Sequence, residues 1–209
     1  MSKLHLEILP KEQRILWDEL GATPKHFTLY GGTALALQLG HRESVDFDFF
    51  SCEKFIPKNI YKAIGYLKNS SILQEAEDTL TCLIAKDDKF VQVSFFGNID
   101  FTNKIEKPLS ASNGISVASK KDIAGTKMAT ILDRVAIKDY LDIHALLKDG
   151  MDLSDMLKYS ANIYGGMFNP ALSVKTLTYF KGLDKLPESV KEDLINYVKE
   201  YHKTLEKEA

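Results

Sequence analysis

The spacing of apolar and polar residues changes along the first 118 residues. Residues 4–20 carry apolar side chains at helical spacing, and Pro10 breaks or starts that helix. After Gly21 the pattern changes to short β-forming runs. These runs predict strands over residues 27–30, 45–50, 72–77, 79–86, 89–96 and 115–117. A helix is expected after Pro57, a hairpin turn at Asp87–Asp88, and a loop over 97–114. We therefore predict an α/β sheet domain over residues 1–118.

From Ser119 onward the apolar spacing is helical almost to the end of the chain. Glycine and proline interrupt it, and the intervals between them predict helices over 119–134, 137–149, 152–165, 170–182 and 187–206. The expected fold class is α+β, with a mixed sheet and flanking helices followed by a C-terminal helical bundle over residues 119–209. No internal repeat interrupts this division.

One run, residues 27–50, combines several chemical signals. A predicted strand ending at Tyr30 leads into a Gly31–Gly32–Thr33 turn, and strong helix formers follow over 34–39. Gly40 is placed to end that helix as a left-handed C-cap. Main-chain N–H groups at a helix start, with the positive end of the helix dipole behind them, favour anions. The turn is therefore a candidate phosphate site.

Two carboxylates follow within the same run. Asp46 and Asp48 alternate with Phe47 and Phe49, so both acids are expected on one face of a strand and both rings in a core. Adjacent carboxylates repel unless a cation lies between them, and Mg²⁺ binds through one or two carboxylates plus substrate phosphates. A glycine turn alone has a purely structural explanation, and so does a strand with one solvent-exposed polar face. Their combination in about twenty residues predicts phosphoryl-transfer chemistry.

Composition and charge narrow the class of protein. No apolar run approaches the length of a membrane span, the first residues lack a signal-peptide core, and a cytoplasmic location is predicted. Cys52 and Cys82 have no metal-ligand spacing. Residues 1–118 carry 13 Lys and Arg against 15 Asp and Glu, and residues 119–209 carry 14 against 14. Neither half is basic, which argues against tight binding along an extended nucleic acid.

A second group of polar residues lies at the start of the helical half. Ser119 and Asp122 have the spacing of a capping box, which gives Asp122 a structural explanation. Lys127, Arg134 and Lys138 are cations on otherwise apolar helices, where such residues usually lie on a solvated face.

These two groups together resemble a known family. Gly31–Gly32–Thr33, the stretch Leu39–Arg42 and the run Ser44–Phe50 are similar to the first motif of the AbiEii/AbiGii-type nucleotidyltransferase toxins, within the DNA polymerase β-like superfamily. The later motifs resemble Asp-x-x-Ala-x-Lys and Arg-x-x-x-Lys-Asp-Tyr-x-Asp. They fall on the following residues: Asp122, Ala124, Lys127, Arg134, Lys138, Asp139, Tyr140 and Asp142. The resemblance covers about residues 27–145.

The resemblance implies a nucleotidyltransferase-fold sheet and a set of site residues. Asp46 and Asp48 would hold Mg²⁺. Phosphate contacts would come from Gly31, Gly32, Thr33, Arg42, Arg134 and Lys138. Lys127 would stabilise the departing pyrophosphate. Asp139 and Asp142 would shape the site or the acceptor channel.

The third carboxylate that such enzymes commonly carry on a later strand is missing. The expected strand, residues 91–96, offers Gln92 and Ser94 on its polar face. Either Asp139 or Asp142 serves, or the acceptor is activated without a side-chain base, or the protein binds nucleotide and reacts slowly or not at all.

The resemblance predicts Mg²⁺-dependent transfer of a nucleoside monophosphate from an NTP to an RNA (tRNA-like) or protein acceptor. By analogy the protein would be the toxin of an abortive-infection or toxin–antitoxin system, with a possible cognate antitoxin. Two other functions stay open: a non-catalytic nucleotide- or partner-binding module, and a small-molecule nucleotidyltransferase of the antibiotic-modifying kind.

Overall fold

The computed structural model describes residues 4–100 and 104–208. The outer limits of the predicted domains, at residues 1 and 209, and residues 101–103 of the predicted loop lie outside this range. The described residues form two compact units. The first comprises 4–100 and 107–119, and the second comprises 104–106 and 120–208. The predicted boundary between residues 118 and 119 stays a prediction, and residues 104–106 group with the helical unit rather than with the sheet.

The first unit contains three α-helices and seven strands among its described residues. The helices are α1 (Lys11–Trp17), α2 (Gly31–Leu39) and α3 (Pro57–Ala63). The strands are β1 (Thr28–Tyr30), β2 (Asp46–Phe50), β3 (Ser71–Ala76), β4 (Thr79–Lys86), β5 (Lys89–Phe96), β6 (Leu109–Ser110) and β7 (Ser116–Val117). The helix predicted over 4–20 is shorter than expected, and Pro10 starts it, which is one of the two roles predicted for this proline. Pro10 cannot donate within a helix, so it stands just before α1, and 3₁₀ turns lie at Leu6–Ile8 and Glu19–Ala22.

The seven strands form one mixed sheet in the order β3-β4-β5-β2-β1-β7-β6. The predicted β4–β5 hairpin is confirmed, and Asp87 in its turn has a φ of 48°. Strand β2 lies at the centre, antiparallel to β1 and parallel to β5. The two acids of β2 therefore lie between β1, which precedes the glycine turn, and β5, the strand expected to carry a third acid.

One face of the sheet forms the core of this unit. Phe47 and Phe49 are completely buried, and Phe49 stacks on Phe95 with ring centroids 5.5 Å apart. Trp17 of α1 contacts Phe47 at a centroid distance of 6.3 Å. Because side chains alternate across a strand, burial of these rings directs their neighbours to the opposite face. The acidic residues of β2 therefore share that opposite face, as predicted.

The second unit is helical. Its elements are α4 (Lys120–Asp133), α5 (Ile137–Lys148), α6 (Leu153–Tyr164), α7 (Pro170–Leu177) and α8 (Glu188–Glu208). Helix α7 ends five residues before the predicted limit of 182. The Tyr140 hydroxyl donates to the carbonyl oxygen of Thr176 at 3.0 Å, which satisfies an acceptor in the last turn of α7. Within the described residues, no helix has the combination of length and apolar character that crossing a membrane requires.

Close contacts between helices hold the second unit together. A Cβ on Gly125 of α4 would lie 2.7 Å from Ile163 Cδ1 and 3.0 Å from the backbone of Tyr159, so α4 and α6 approach each other more closely than a side chain would allow. Ser173 of α7 donates to the carbonyl of Met128 in α4 at 2.7 Å. Helix α4 is therefore fixed from two sides, and the residues it carries have defined positions.

Candidate active site

The glycine turn predicted before helix α2 is the first turn of that helix. Gly31 begins α2 with a φ of +72°. The first N–H groups of a helix have no partner within the helix, and the positive end of the helix dipole lies there. Gly40 ends α2 in the left-handed conformation, with its N–H bonded to Ala36 at 2.8 Å, as predicted. The start of α2 therefore has the polarity and the small residues that an anion requires.

Asp48 lies directly beside this helix start. A Cβ built on Gly31 would be 3.3 Å from Asp48 Oδ2, and Tyr30 is paired with Asp48 across β1 and β2. Asp46, two residues earlier on β2, lies on the same face, and both acids are half-buried. The two carboxylates and the glycine turn thus share one corner of the first unit.

Thr33 connects the helix to the acidic strand. Its side chain is only 2% exposed, and its hydroxyl donates to the main-chain carbonyl of Asp46. The same oxygen lies 2.8 Å from Ser44 Oγ. In this arrangement Thr33 fixes the first turn of α2 against the backbone that carries the first acid. The predicted contact of Thr33 with nucleotide phosphates stays a prediction, as do those of Gly31 and Gly32.

Arg42 lies between α2 and β2. It is half-buried, and its guanidinium donates from Nη1 to the carbonyl of Glu43 at 2.8 Å. The role of Arg42 as a phosphate ligand stays a prediction.

The strand expected to carry a third acid lies where the sequence placed it. In the β2–β5 pairing, Asp46 is opposite Gln92 and Asp48 is opposite Ser94. Ser94 is 1% exposed, and Gln92 Nε2 lies 3.4 Å from its hydroxyl. No group of three or more His, Cys, Asp or Glu side chains that would hold a metal occurs in residues 4–100 and 104–208.

The candidate protein ligands for a cation at this corner are the carboxylates of Asp46 and Asp48, and that role stays a prediction. Carboxylate oxygens from one face of a strand, beside a backbone that favours phosphate, fit Mg²⁺, which commonly takes one or two carboxylates and completes its shell with water and phosphate oxygens. Two carboxylates are too few ligands to hold a metal ion without oxygens from water or substrate.

The second unit contains its own cluster of charged residues. The Lys127 ammonium lies 2.7 Å from Asp139 Oδ1 and 2.6 Å from Asp142 Oδ2. Both acids are completely buried, and Lys127 is 4% exposed. The solvated helix face that such a lysine usually occupies is excluded here, because the ammonium is enclosed by two carboxylates. Its predicted role toward pyrophosphate, like the predicted roles of Asp139 and Asp142, stays a prediction.

Arg134 joins this cluster from the partly exposed side. Its Nε donates to Asp139 Oδ2 at 2.8 Å and its Nη2 to Oδ1 at 3.1 Å, a two-point contact that suits a guanidinium. Burial alone would raise the pKa of the Asp139 carboxyl. The hydrogen bonds and charges of Arg134 and Lys127 outweigh burial and hold that pKa below its ordinary value. Lys138, one residue before Asp139, is exposed to solvent, so the structure does not enclose it with the other members of the motif.

Asp122 has a function that its spacing with Ser119 did not predict. Its carboxylate accepts hydrogen bonds from the main-chain N–H groups of Ile105 at 2.9 Å and Glu106 at 3.1 Å. These bonds attach residues 104–106 to α4. Local sequence carries no signal for such a contact, because the donors lie 16 and 17 residues earlier in the chain.

Comparisons with known proteins show which family the chain belongs to. Residues 14–193 match the model of the family described as nucleotidyl transferase AbiEii toxin, Type IV toxin–antitoxin system. An uncharacterised protein of Aquifex aeolicus is 33% identical over 210 residues, which covers 96% of this chain and 97% of that protein. The chain therefore belongs to the AbiEii family of nucleotidyl transferases.

Solved structures show the same fold at low sequence identity. JHP933 of Helicobacter pylori superposes with a TM-score of 0.64 at 19% identity, covering 95% of this chain and 92% of that one. The nucleotidyltransferase toxin MenT4 of Mycobacterium tuberculosis superposes with a TM-score of 0.52 at 12% identity, covering 88% and 90%. The predicted nucleotidyltransferase fold is confirmed.

Proposed function

We propose that this member of the AbiEii family transfers a nucleoside monophosphate from an NTP to an acceptor hydroxyl, in a reaction that depends on Mg²⁺. The observation that carries the proposal is the position of Asp48 beside Gly31, with Asp46 on the same face of β2. A triphosphate at the start of α2 would lie against both carboxylates. Family membership supports the same chemistry.

The residues of the first unit would hold the substrate rather than supply a reactive group. The N–H groups at the start of α2 would bind the phosphates beyond the α-phosphorus, and Gly31 would let the backbone approach them without a Cβ. The Thr33 hydroxyl, bonded to the carbonyl of Asp46, would keep the helix start and the first acid at a constant separation. Positioning of this kind, together with electrostatic stabilisation, accounts for most of the catalysis in phosphoryl transfer.

Asp46 and Asp48 would hold Mg²⁺, which when bound supplies charge stabilisation at the attacking and leaving oxygens. In the transfer, a bond forms between the acceptor oxygen and the α-phosphorus, and the bond from that phosphorus to the bridging oxygen breaks, which releases pyrophosphate. The acceptor hydroxyl would lose its proton to solvent, because Gln92 and Ser94 on the adjacent strand are not bases and because Asp139 and Asp142 are buried and held by Lys127. A slow enzyme is the expected consequence.

The cellular role follows from the family. Its description as a Type IV toxin–antitoxin system supports a toxin with a cognate antitoxin. The proposed acceptors are an RNA end or a protein hydroxyl, whose modification would arrest growth.

A second function is favoured by one specific observation. Ser94 stands opposite Asp48, where an acid would complete a three-carboxylate site. A non-catalytic module that binds nucleotide would keep Gly31, Asp46 and Asp48 and would not need that acid.

The test is labelling of a cell extract by the purified chain with each α-³²P-labelled NTP and Mg²⁺. We expect one macromolecular product for the wild type and none for Asp46→Asn or Asp48→Asn. Asp88→Asn, in the exposed β4–β5 turn, is the matched control and should label normally. Equal labelling by all four proteins would refute the proposal. NTP binding by calorimetry without any labelled product would select the non-catalytic module, and a labelled small molecule would select the antibiotic-modifying class.

A further inference from the structure

An exposed apolar surface lies on the same face of the sheet as the two acids. Phe90 of β5 is 65% exposed, although its strand is buried on the opposite face at Val91 and Val93. Ala85 is paired with Phe90 across β4 and β5, and Leu83 is paired with Gln92. Paired residues point to the same face, so Leu83, Ala85 and Phe90 form one continuous patch, called here the ledge.

The pairing of β2 with β5 places the ledge next to Asp46. Asp46 is opposite Gln92, and Phe90 is two residues before Gln92 on the same strand. Side chains two residues apart point to the same side of a strand. With neighbouring strands about 4.8 Å apart and about 3.3 Å per residue, the Cα atoms of Phe90 and Asp46 are roughly 8 Å apart. Along β5 the residues on this face become less exposed from Phe90 through Gln92 to Ser94, so the ledge is the open margin of the acidic surface.

A phenylalanine in this position contributes little to folding, because most of its surface remains in water. Single exposed apolar residues are common and need no explanation by themselves. Phe90 differs from such residues because it lies on the face of β5 that is otherwise polar. Its neighbours there are the half-buried amide of Gln92 and the carboxylate of Asp46. A flat ring with an amide at its edge matches a nucleobase, which presents an apolar face and a hydrogen-bonding rim.

We propose that the ledge binds the terminal base of an RNA acceptor by stacking on Phe90, which brings the ribose of that nucleotide next to Asp46. The inference deepens the proposed function and rests on it for the identity of the reaction. Neither half of the chain is basic, so attraction along an extended phosphate backbone is weak. Recognition of one or two unpaired terminal nucleotides by stacking does not need a long basic surface. Every RNA end presents a flat base, whereas a protein acceptor presents a flat group only where an aromatic residue lies at or beside its hydroxyl. RNA is therefore favoured.

Binding of RNA to the ledge can be measured separately from catalysis. The probe is a fluorescein-labelled single-stranded hexaribonucleotide with a free 3′ hydroxyl, titrated with the full chain in Mg²⁺ without NTP and followed by fluorescence anisotropy. Phe90→Ala should raise the Kd about 5-fold to 100-fold, the range for loss of one stacked base, whereas Phe90→Trp should retain binding. Ile72→Ala is the matched control. Ile72 is 44% exposed on β3 and, through its pairing with Cys82, lies on the opposite face of the sheet.

The proposal would be overturned if the wild type showed no measurable binding of the hexanucleotide, or if wild type and Phe90→Ala bound it equally. An equal loss of hexanucleotide binding in Ile72→Ala would also overturn it, as would a loss of NTP affinity in Phe90→Ala measured by calorimetry. Nucleotide transfer to a protein acceptor at a rate that Phe90→Ala does not change would overturn it as well.

Failure of the proposed function gives a different pattern, in which hexanucleotide binding depends on Phe90 but no NTP labels any acceptor. Labelling that requires Asp46 while hexanucleotide binding ignores Phe90 removes the ledge and leaves the proposed function intact.

Discussion

A Cβ atom added to Gly31 would lie 3.3 Å from Oδ2 of Asp48. The first residue of helix α2 is therefore in contact range of the second acid of β2, although their strands of origin run in opposite directions. A larger residue at position 31 would push against the Asp48 carboxylate. This single contact links the anion-binding and the cation-binding halves of the proposed site.

Gly31→Ala should disturb both the backbone and the substrate site. Gly31 has a φ of +72°, and an L-residue in this conformation costs about 1–2 kcal/mol of stability. The methyl group would also crowd Asp48, so we expect NTP affinity to fall at least tenfold. Urea unfolding and calorimetric titration with NTP and Mg²⁺ measure the two effects. Gly150→Ala is the control, because Gly150 has a φ of +93° with nothing within 4 Å of the added Cβ. NTP affinity that falls equally in both variants would show that only general destabilisation is at work.

Lys127→Met should destabilise the second unit strongly. The change preserves the length of the side chain but leaves Asp139 and Asp142 buried without the ammonium between them. Removal of one partner from a buried ion pair typically costs about 3–5 kcal/mol, and the loss should appear in urea unfolding at pH 7. Lys158→Met removes the exposed partner of Asp155 and should leave the unfolding midpoint unchanged. A loss below about 1 kcal/mol for Lys127→Met would contradict the buried cluster.

Acid should weaken the same cluster through Asp139. The folded-state pKa of this carboxyl is held below its ordinary value, so ionised Asp139 stabilises the fold above about pH 4, and this contribution is lost as pH falls through the lowered pKa. Asp139→Asn cannot ionise. The difference in unfolding free energy between wild type and Asp139→Asn should therefore be largest at pH 5–7 and shrink below about pH 4.

Urea unfolding at intervals between pH 3 and 7 measures this difference. Asp184→Asn, at an exposed position, should follow the wild type at every pH. A gap between wild type and Asp139→Asn that stays constant down to pH 3 would mean that the pKa of Asp139 is not lowered by folding.

Ser94→Asp should add a third acid beside Asp46 and Asp48 on the neighbouring strand. Ser94 is 1% exposed and stands opposite Asp48, so a carboxylate there adds like charge to a partly desolvated surface. Without metal we expect a loss of about 2–3 kcal/mol. Mg²⁺ should restore more of the melting temperature in the variant than it adds to the wild type, because three carboxylates bind a divalent cation more strongly than two.

Thermal unfolding with and without Mg²⁺ tests this expectation. Ser160→Asp places an acid at a fully buried serine in the second unit, and its loss of stability should not respond to Mg²⁺. An equal response of Ser94→Asp and Ser160→Asp would argue against a cation site at Asp46 and Asp48.

Local features of the sequence determined much of the secondary structure. Pro10 marks the start of α1, Gly40 ends α2, and the limits of β4 and β5 agree with the alternating pattern to the residue. The alternation of Asp46, Phe47, Asp48 and Phe49 also sufficed to place both acids on one face. These outcomes depend on backbone conformation and side-chain period over a few residues, and such preferences act without knowledge of the rest of the fold.

Only the tertiary structure decided which groups meet. Thr33 bonds to Asp46 across 13 residues, Lys127 to Asp139 across 12, and the pairing of β2 with β5 brings Gln92 and Ser94 to the acids. The sequence placed Lys127 on a helix, where such a cation usually lies on a solvated face, and it included Phe90 in the strand predicted over 89–96. The burial of the first and the exposure of the second follow from how sheet and helices pack, because strand register and helix contacts are set by the joint burial of side chains distant in sequence.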